Sequence, residues 1–191
     1  GCTTGDHVAM MMTNSLEFYI VQLALHRIGA NICMLRKDTK QASELIIKLN
    51  CVALFLDFGK YLTDNERTWV SRMTHRFKVT MTANDYALPG VRLLSDVLSL
   101  GKNMDYKPIS KIYIDVDSPA VVLFTSGSSG LPKAVQHTHH SLLNVSKLFA
   151  DRIEIRDNSI LFIDRPMAYI GGVFQGTLFA YLGTTIVSLP P

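Results

Sequence analysis

Phe124-Thr125-Ser126-Gly127-Ser128-Ser129-Gly130-Leu131-Pro132-Lys133 gathers side chains suited to holding a polyphosphate. Thr125, Ser126, Ser128 and Ser129 offer hydroxyl donors of little bulk. Gly127 and Gly130 allow positive φ and let backbone amides close on an anion. Pro132 stiffens the exit, and Lys133 supplies a point charge. Two better-known loops do not fit. A Walker A loop has its second glycine five residues past the first, directly before lysine, and that position is Pro132. A nucleophile elbow needs a serine with glycine two residues away on both sides, which no serine here has. A flexible surface turn would explain the Gly and Ser, but not the ordered Leu131-Pro132-Lys133 after them.

Such a loop has to be held by regular elements on either side. Before it, Ala120 to Phe124 is a short, unbroken apolar run rich in β-branched residues, which predicts a buried strand. After it, Ala134 to Thr138 reads as a strand and Ser141 to Ala150 as a helix with Leu142, Val145 and Phe149 on one face. His137, His139 and His140 invite a zinc site. No Cys or carboxylate lies near them in sequence, and adjacent strand positions point to opposite faces, so no metal site is expected. Ile160 to Ile163 reads as a further buried strand, followed by Arg165-Pro166-Met167-Ala168-Tyr169-Ile170-Gly171-Gly172.

Thr125 to Lys133 resembles the phosphate-binding signature of the adenylate-forming (AMP-binding) superfamily. That group contains acyl-CoA synthetases, coumarate–CoA-type ligases, insect luciferases and the adenylation domains of peptide synthetases. Ala134 departs from the pattern, which usually has glycine there. The stretch from Arg165 to Gly172 is similar to the family's second core motif, a proline and an aromatic or histidine before a glycine pair. Tyr169 stands where many relatives have a histidine that gates the substrate channel, and Gly171 and Gly172 complete the gate. Tyrosine keeps a ring and a hydrogen-bonding tip but carries no positive charge near neutral pH. A tyrosine simply packed before a Gly-Gly turn fits the same residues.

The first half of the chain reads as strand–helix–strand repeats. His7 to Met12 predicts a buried strand. Asn14 is the expected N-cap of the next helix, with Glu17 as its capping-box partner. Leu16 to Ile28 predicts a mostly buried helix with Ser15, Gln22 and His26 along a polar stripe, ended by Gly29. Asn31 to Leu35, a helix from Thr39 with Ala42, Leu45, Ile46 and Leu49 inward, and Val52 to Leu56 follow. Then come a helix over Asp64 to Met73 with Trp69 as a core anchor, a strand over Arg76 to Met81, and a short helix over Val91 to Leu98. Gly101 to Pro119 is a polar connector. The pattern predicts an α/β fold, a largely parallel sheet flanked by helices. Gly5 to Ala9 and Leu25 to Ala30 also resemble the first strand and helix of the family's large N-terminal domain, without its usual proline after that helix.

Composition agrees with a globular α/β protein: hydrophobic residues make up 48% and charged residues 18%. A net charge of +3 is too small to suggest nucleic acid or a membrane surface as partner. Cys2, Cys33 and Cys51 have no paired spacing, which points to reduced thiols inside a cell. Cytoplasm and peroxisome both remain open. The longest apolar tract, Val173 to Leu189, is broken by Gln175, glycines and threonines, and makes a poor membrane span.

The resemblance implies activation of a small carboxylic acid by ATP with Mg²⁺, through an acyl-adenylate, and transfer of the acyl group to CoA. Thr125, Ser126, Gly127, Ser128, Ser129, Gly130 and Lys133 would hold the ATP phosphates. It covers only the front of a family member. Residues 1–191 are expected to be part of the N-terminal domain, with the C-terminal domain and its catalytic lysine beyond it, so no catalytic residue is assigned in this segment. The alternative is a truncated or degenerate paralogue that keeps the fold and at most weak nucleotide binding. A sheet cut before its later strands would also leave an exposed edge.

Overall fold

The computed structural model describes residues 1–59, 61–85, 88–105, 112–125 and 132–188, the side chain of Thr39 aside. Strand β1 (His7–Met11) lies at the middle of the architecture. Val8, Ala9, Met10 and Met11 are almost fully buried, as an apolar strand covered on both faces must be. It pairs in parallel with β2 (Asn31–Met34) on one side and β3 (Ala53–Leu56) on the other. β4 (Val79–Thr82) and the two-residue β5 (Arg92–Leu93) extend the β3 side, and β6 (Pro119–Thr125) joins β2 in parallel. β7 (Lys133–Thr138) closes the other edge antiparallel to β6, giving the order β5-β4-β3-β1-β2-β6-β7.

The alternation of side chains in these strands decides which helices cover which face. Val8, Met10, Ile32 and Met34 point to α1 (Leu16–Arg27), whose Phe18, Val21 and Leu25 pack on them. Ala9, Met11, Cys33, Leu54 and Leu56 point the other way, to α2 (Thr39–Lys48) and α3 (Asp64–Met73). Trp69 anchors α3 to α2, its Nε1–H donating to Ser43 Oγ at 2.7 Å while its ring meets Phe58 edge-on. Thr63 caps α3 in a full capping box with Glu66. Thr63→Ala is expected to destabilise the protein by about 1 kcal/mol, read as a lower midpoint in urea with an unchanged slope.

A short helix α4 (Leu94–Gly101) follows β5 directly, where the sequence predicts helix from Val91. Beyond β7, α5 (His139–Arg152) packs on α6 (Ile170–Leu182). α6 is the crossover between β8 (Ile160–Ile163) and β9 (Thr185–Ser188), a separate two-stranded parallel sheet. Among the described residues no helix is long and apolar enough to cross a membrane.

The α/β fold with a largely parallel sheet is as the sequence predicts, and four local expectations are corrected. Ser15, not Asn14, caps α1, its Oγ accepting from Phe18 N–H at 3.2 Å. The stripe of Gln22 and His26 faces inward, with Gln22 only 4% exposed, while Leu16 and Leu23 reach solvent. A helix that is apolar nearly all round has no phase to read. In α5 the buried face is Leu142, Ser146 and Ala150, and Val145 and Phe149 are exposed. Small side chains there let α6 come close enough for Ser146 Oγ to donate to the Phe174 carbonyl at 3.4 Å. β8 is buried only at Ile163, since Ile160 and Phe162 are open to solvent.

Candidate functional site

Because β1, β2, β3 and β6 run the same way, their C-terminal ends form one rim. In open α/β sheets this rim is where ligands bind, beside the strand at which the order reverses. Here the order β2-β1-β3 makes β1 that strand.

Two of the phosphate-loop candidates, Thr125 and Lys133, stand at the end of the β6–β7 ladder. Thr125 is the last residue of β6 and pairs in register with Lys133, the first of β7, both of them exposed. Ser126, Gly127, Ser128, Ser129 and Gly130 lie outside the described residues. The ladder fixes the two ends of the loop opposite each other at the rim, with a hydroxyl on one side and an ammonium on the other. That donor set suits a polyphosphate. Ala134 pairs with Phe124 as an exposed member of the same ladder.

A cleft of about 520 Å³ opens at the same rim. Its walls are the β1–α1 turn with Thr13 and Asn14, the β2–α2 turn with Arg36 and Lys37, and the β8–α6 turn with Asp164 and Tyr169. Tyr169 occupies the N-cap position of α6, and the Arg36 guanidinium lies over its ring, 5.5 Å from the centroid. Gly171 and Gly172 form the first turn of α6. A Cβ on Gly172 would stand 2.6 Å from the Pro166 carbonyl oxygen and 2.8 Å from Met167 Cα, so only glycine lets the helix meet this turn. Tyr169 thus lines the cleft, while Gly171 and Gly172 follow it in α6 without lining it. Thr125 and Lys133 do not line it.

Two side chains at the rim belong to no motif in the sequence. Asp57, just past β3, is buried and accepts from the Thr13 hydroxyl and, at 2.8 Å, from Gly59 N–H. Burial pushes its carboxyl up, but the bonds from Thr13, Gly59 and Asn84 and the charge of Lys37 hold it below the usual carboxylate range. Asn14 bonds to the β8–α6 turn, donating through Nδ2 to the Arg165 carbonyl at 2.8 Å and accepting through Oδ1 from Met167 N–H at 2.9 Å. A hint lay in the pair Asn14-Ser15: two residues able to cap stand in succession, and a helix takes one cap.

The three histidines part company. His137 meets Phe174 edge-on, His139 meets His26, and His140 Nδ1 lies 3.3 Å from Asp117 Oδ1. Among the described residues no group of three or more His, Cys, Asp or Glu is gathered as metal ligands.

Comparison with known proteins puts this geometry in a family. The chain is 23% identical to the human mitochondrial medium-chain acyl-CoA ligase, over all of this chain and 35% of that protein. It is 25% identical to the medium-chain fatty-acid–CoA ligase of Escherichia coli, over 95% of this chain and 32% of the other. The chain thus spans about a third of the length of these relatives. In structure it is similar to the acetoacetyl-CoA synthetase of Streptomyces lividans, with a TM-score of 0.79 and 21% identity over 98% of this chain and 30% of that one. The family profile described as AMP-binding enzyme matches residues 1–191, and the chain belongs to that family.

Proposed function

We propose that residues 1–191 form part of the N-terminal domain of an acid–thiol ligase and supply its ATP phosphate-binding loop. The observation that carries this is the β6–β7 hairpin, which sets Thr125 opposite Lys133 at the carboxyl rim of a parallel sheet. Thr125, Ser126, Gly127, Ser128, Ser129 and Gly130 donate hydroxyl and amide hydrogens to the β- and γ-phosphates, and Lys133 neutralises their charge. ATP, taken with Mg²⁺, supplies the AMP group that activates a small carboxylic acid, and CoA is the acceptor of the acyl group. Tyr169, held beneath Arg36, closes one wall of the cleft beside Gly171 and Gly172. It orients through its ring and hydroxyl.

The test is ATP–pyrophosphate exchange, with a panel of carboxylic acids, on the natural chain that carries this segment. Acid-dependent exchange is expected, and Lys133→Ala should raise the KM for ATP about tenfold, the effect of losing one exposed charge on a phosphate. An unchanged KM for ATP would remove Lys133 from the site. A folded chain that gives no exchange with any acid would be a non-catalytic relative.

A further inference from the structure

Asn14 makes the most informative long-range contact in the molecule. Its carboxamide spans the β8–α6 turn, more than a hundred residues away, by giving a hydrogen to one backbone group and taking one from another. The Arg165 carbonyl only accepts and the Met167 N–H only donates, so the pairing fixes both the turn and the orientation of the amide. Asn14 is available because Ser15 performs the helix cap. Its own turn is tied to the sheet, since the neighbouring Thr13 donates to the buried Asp57. On the other side Met167 is fully buried, with its sulfur 3.6 Å from the Tyr19 hydroxyl and its backbone against Gly172.

Asn14 also stands between two cavities. One is the cleft that holds Arg36, Lys37 and Tyr169. The other is an apolar groove of about 630 Å³ along α1, α6 and β9, lined by Leu16, Tyr19, Ile20 and Phe179 among others. The turn that Asn14 grips lines the first of them through Pro166, Ala168 and Tyr169, and Tyr169 leaves that turn two residues after Met167.

We propose that Asn14 is a positioning residue: it sets the Arg165–Tyr169 turn, and through it the Tyr169 gate, at the acid-binding side of the site. This rests on the function proposed above. Two variants separate the roles of its amide. Asn14→Ala removes both bonds, while Asn14→Asp keeps the acceptor for Met167 N–H and loses the donor to Arg165.

The experiment measures amide hydrogen exchange and ATP–pyrophosphate exchange on the same natural chain. In Asn14→Ala, exchange at the Met167 amide should speed up about tenfold, the loss of its hydrogen bond to the Asn14 side chain, with β1 to β3 unchanged. Asn14→Asp should keep that protection. In the activity arm, Asn14→Ala should raise the KM for the acid about tenfold and move the KM for ATP less than about twofold, with Asn14→Asp between wild type and Ala. Unchanged protection at Met167, protection lost evenly across the sheet, or a KM change shared equally by acid and ATP would each overturn the proposal. If the wild-type chain shows no acid-dependent exchange, the proposed function falls, and the Met167 amide still decides whether Asn14 grips the turn.

Discussion

Gly172→Ala is expected to lower stability by about 3 kcal/mol, at the upper end for an atom forced into a filled site. For a chain of this size that is a fall of roughly 9 °C in Tm. The added methyl would meet three backbone atoms of one peptide unit, the Pro166 carbonyl carbon and oxygen and Met167 Cα, which no rotamer change relieves. Either α6 tilts away from the turn or the turn moves, and Met167, with no exposed surface, moves with it. Gly183 provides the control. It ends α6 at φ +74, and a Cβ there would have nothing within 4 Å, so Gly183→Ala meets only the left-handed backbone penalty of about 1 kcal/mol. Thermal denaturation of the two variants side by side is the check. Equal losses would mean that α6 does not depend on the close approach at Gly172.

What the sequence reveals most directly is what local patterning controls. β1, β3 and β6 are built on apolar runs, and α3 begins at the capping box of Thr63 and Glu66, so their positions follow from neighbours in the chain. Parallel pairing follows as well, because helices of ten or more residues separate β1, β2 and β3. The orientation of a helix is another matter. α1 is apolar on nearly every side, and only contact with the sheet and with α6 determines that Gln22 goes in and Leu23 out. α5 misleads in the same way, because its inward face is defined by the room α6 needs, which favours Ser146 and Ala150 over Val145 and Phe149. The candidate site divides along the same line. Thr125, Lys133 and Tyr169 are visible as members of contiguous motifs. Asn14, Arg36 and Asp57 act on partners far along the chain or through a sheet neighbour, and no spacing within their own segments reveals that.

The inward turn of α1 also gives the protein an acid-sensitive point, and His26 is its centre. The ring meets His139 edge-on at 5.2 Å, and the Nε2 atoms of both rings are buried without a hydrogen-bond partner among the described residues. Burial, with a smaller contribution from the charge of His139, brings the His26 pKa down to about 4, and burial lowers His139 as well. An unfolded His26 takes its proton near pH 6.5, so between the two values the unfolded chain binds more protons than the folded one. The stabilisation from keeping His26 neutral is therefore complete above about pH 6.5, shrinks as pH falls below it, and is gone near pH 4. Its full size approaches about 3 kcal/mol, which is roughly 10 °C of Tm across that interval. His26→Phe keeps a ring against His139 and removes the group that titrates. Plotted against pH, the Tm of the variant should run much flatter than wild type between pH 6.5 and 4, leaving the slope that His139 contributes in the same direction. Parallel curves would show that His26 is protonated without loss in the folded protein, and that the pairing of α1 with α5 does not depend on a neutral ring.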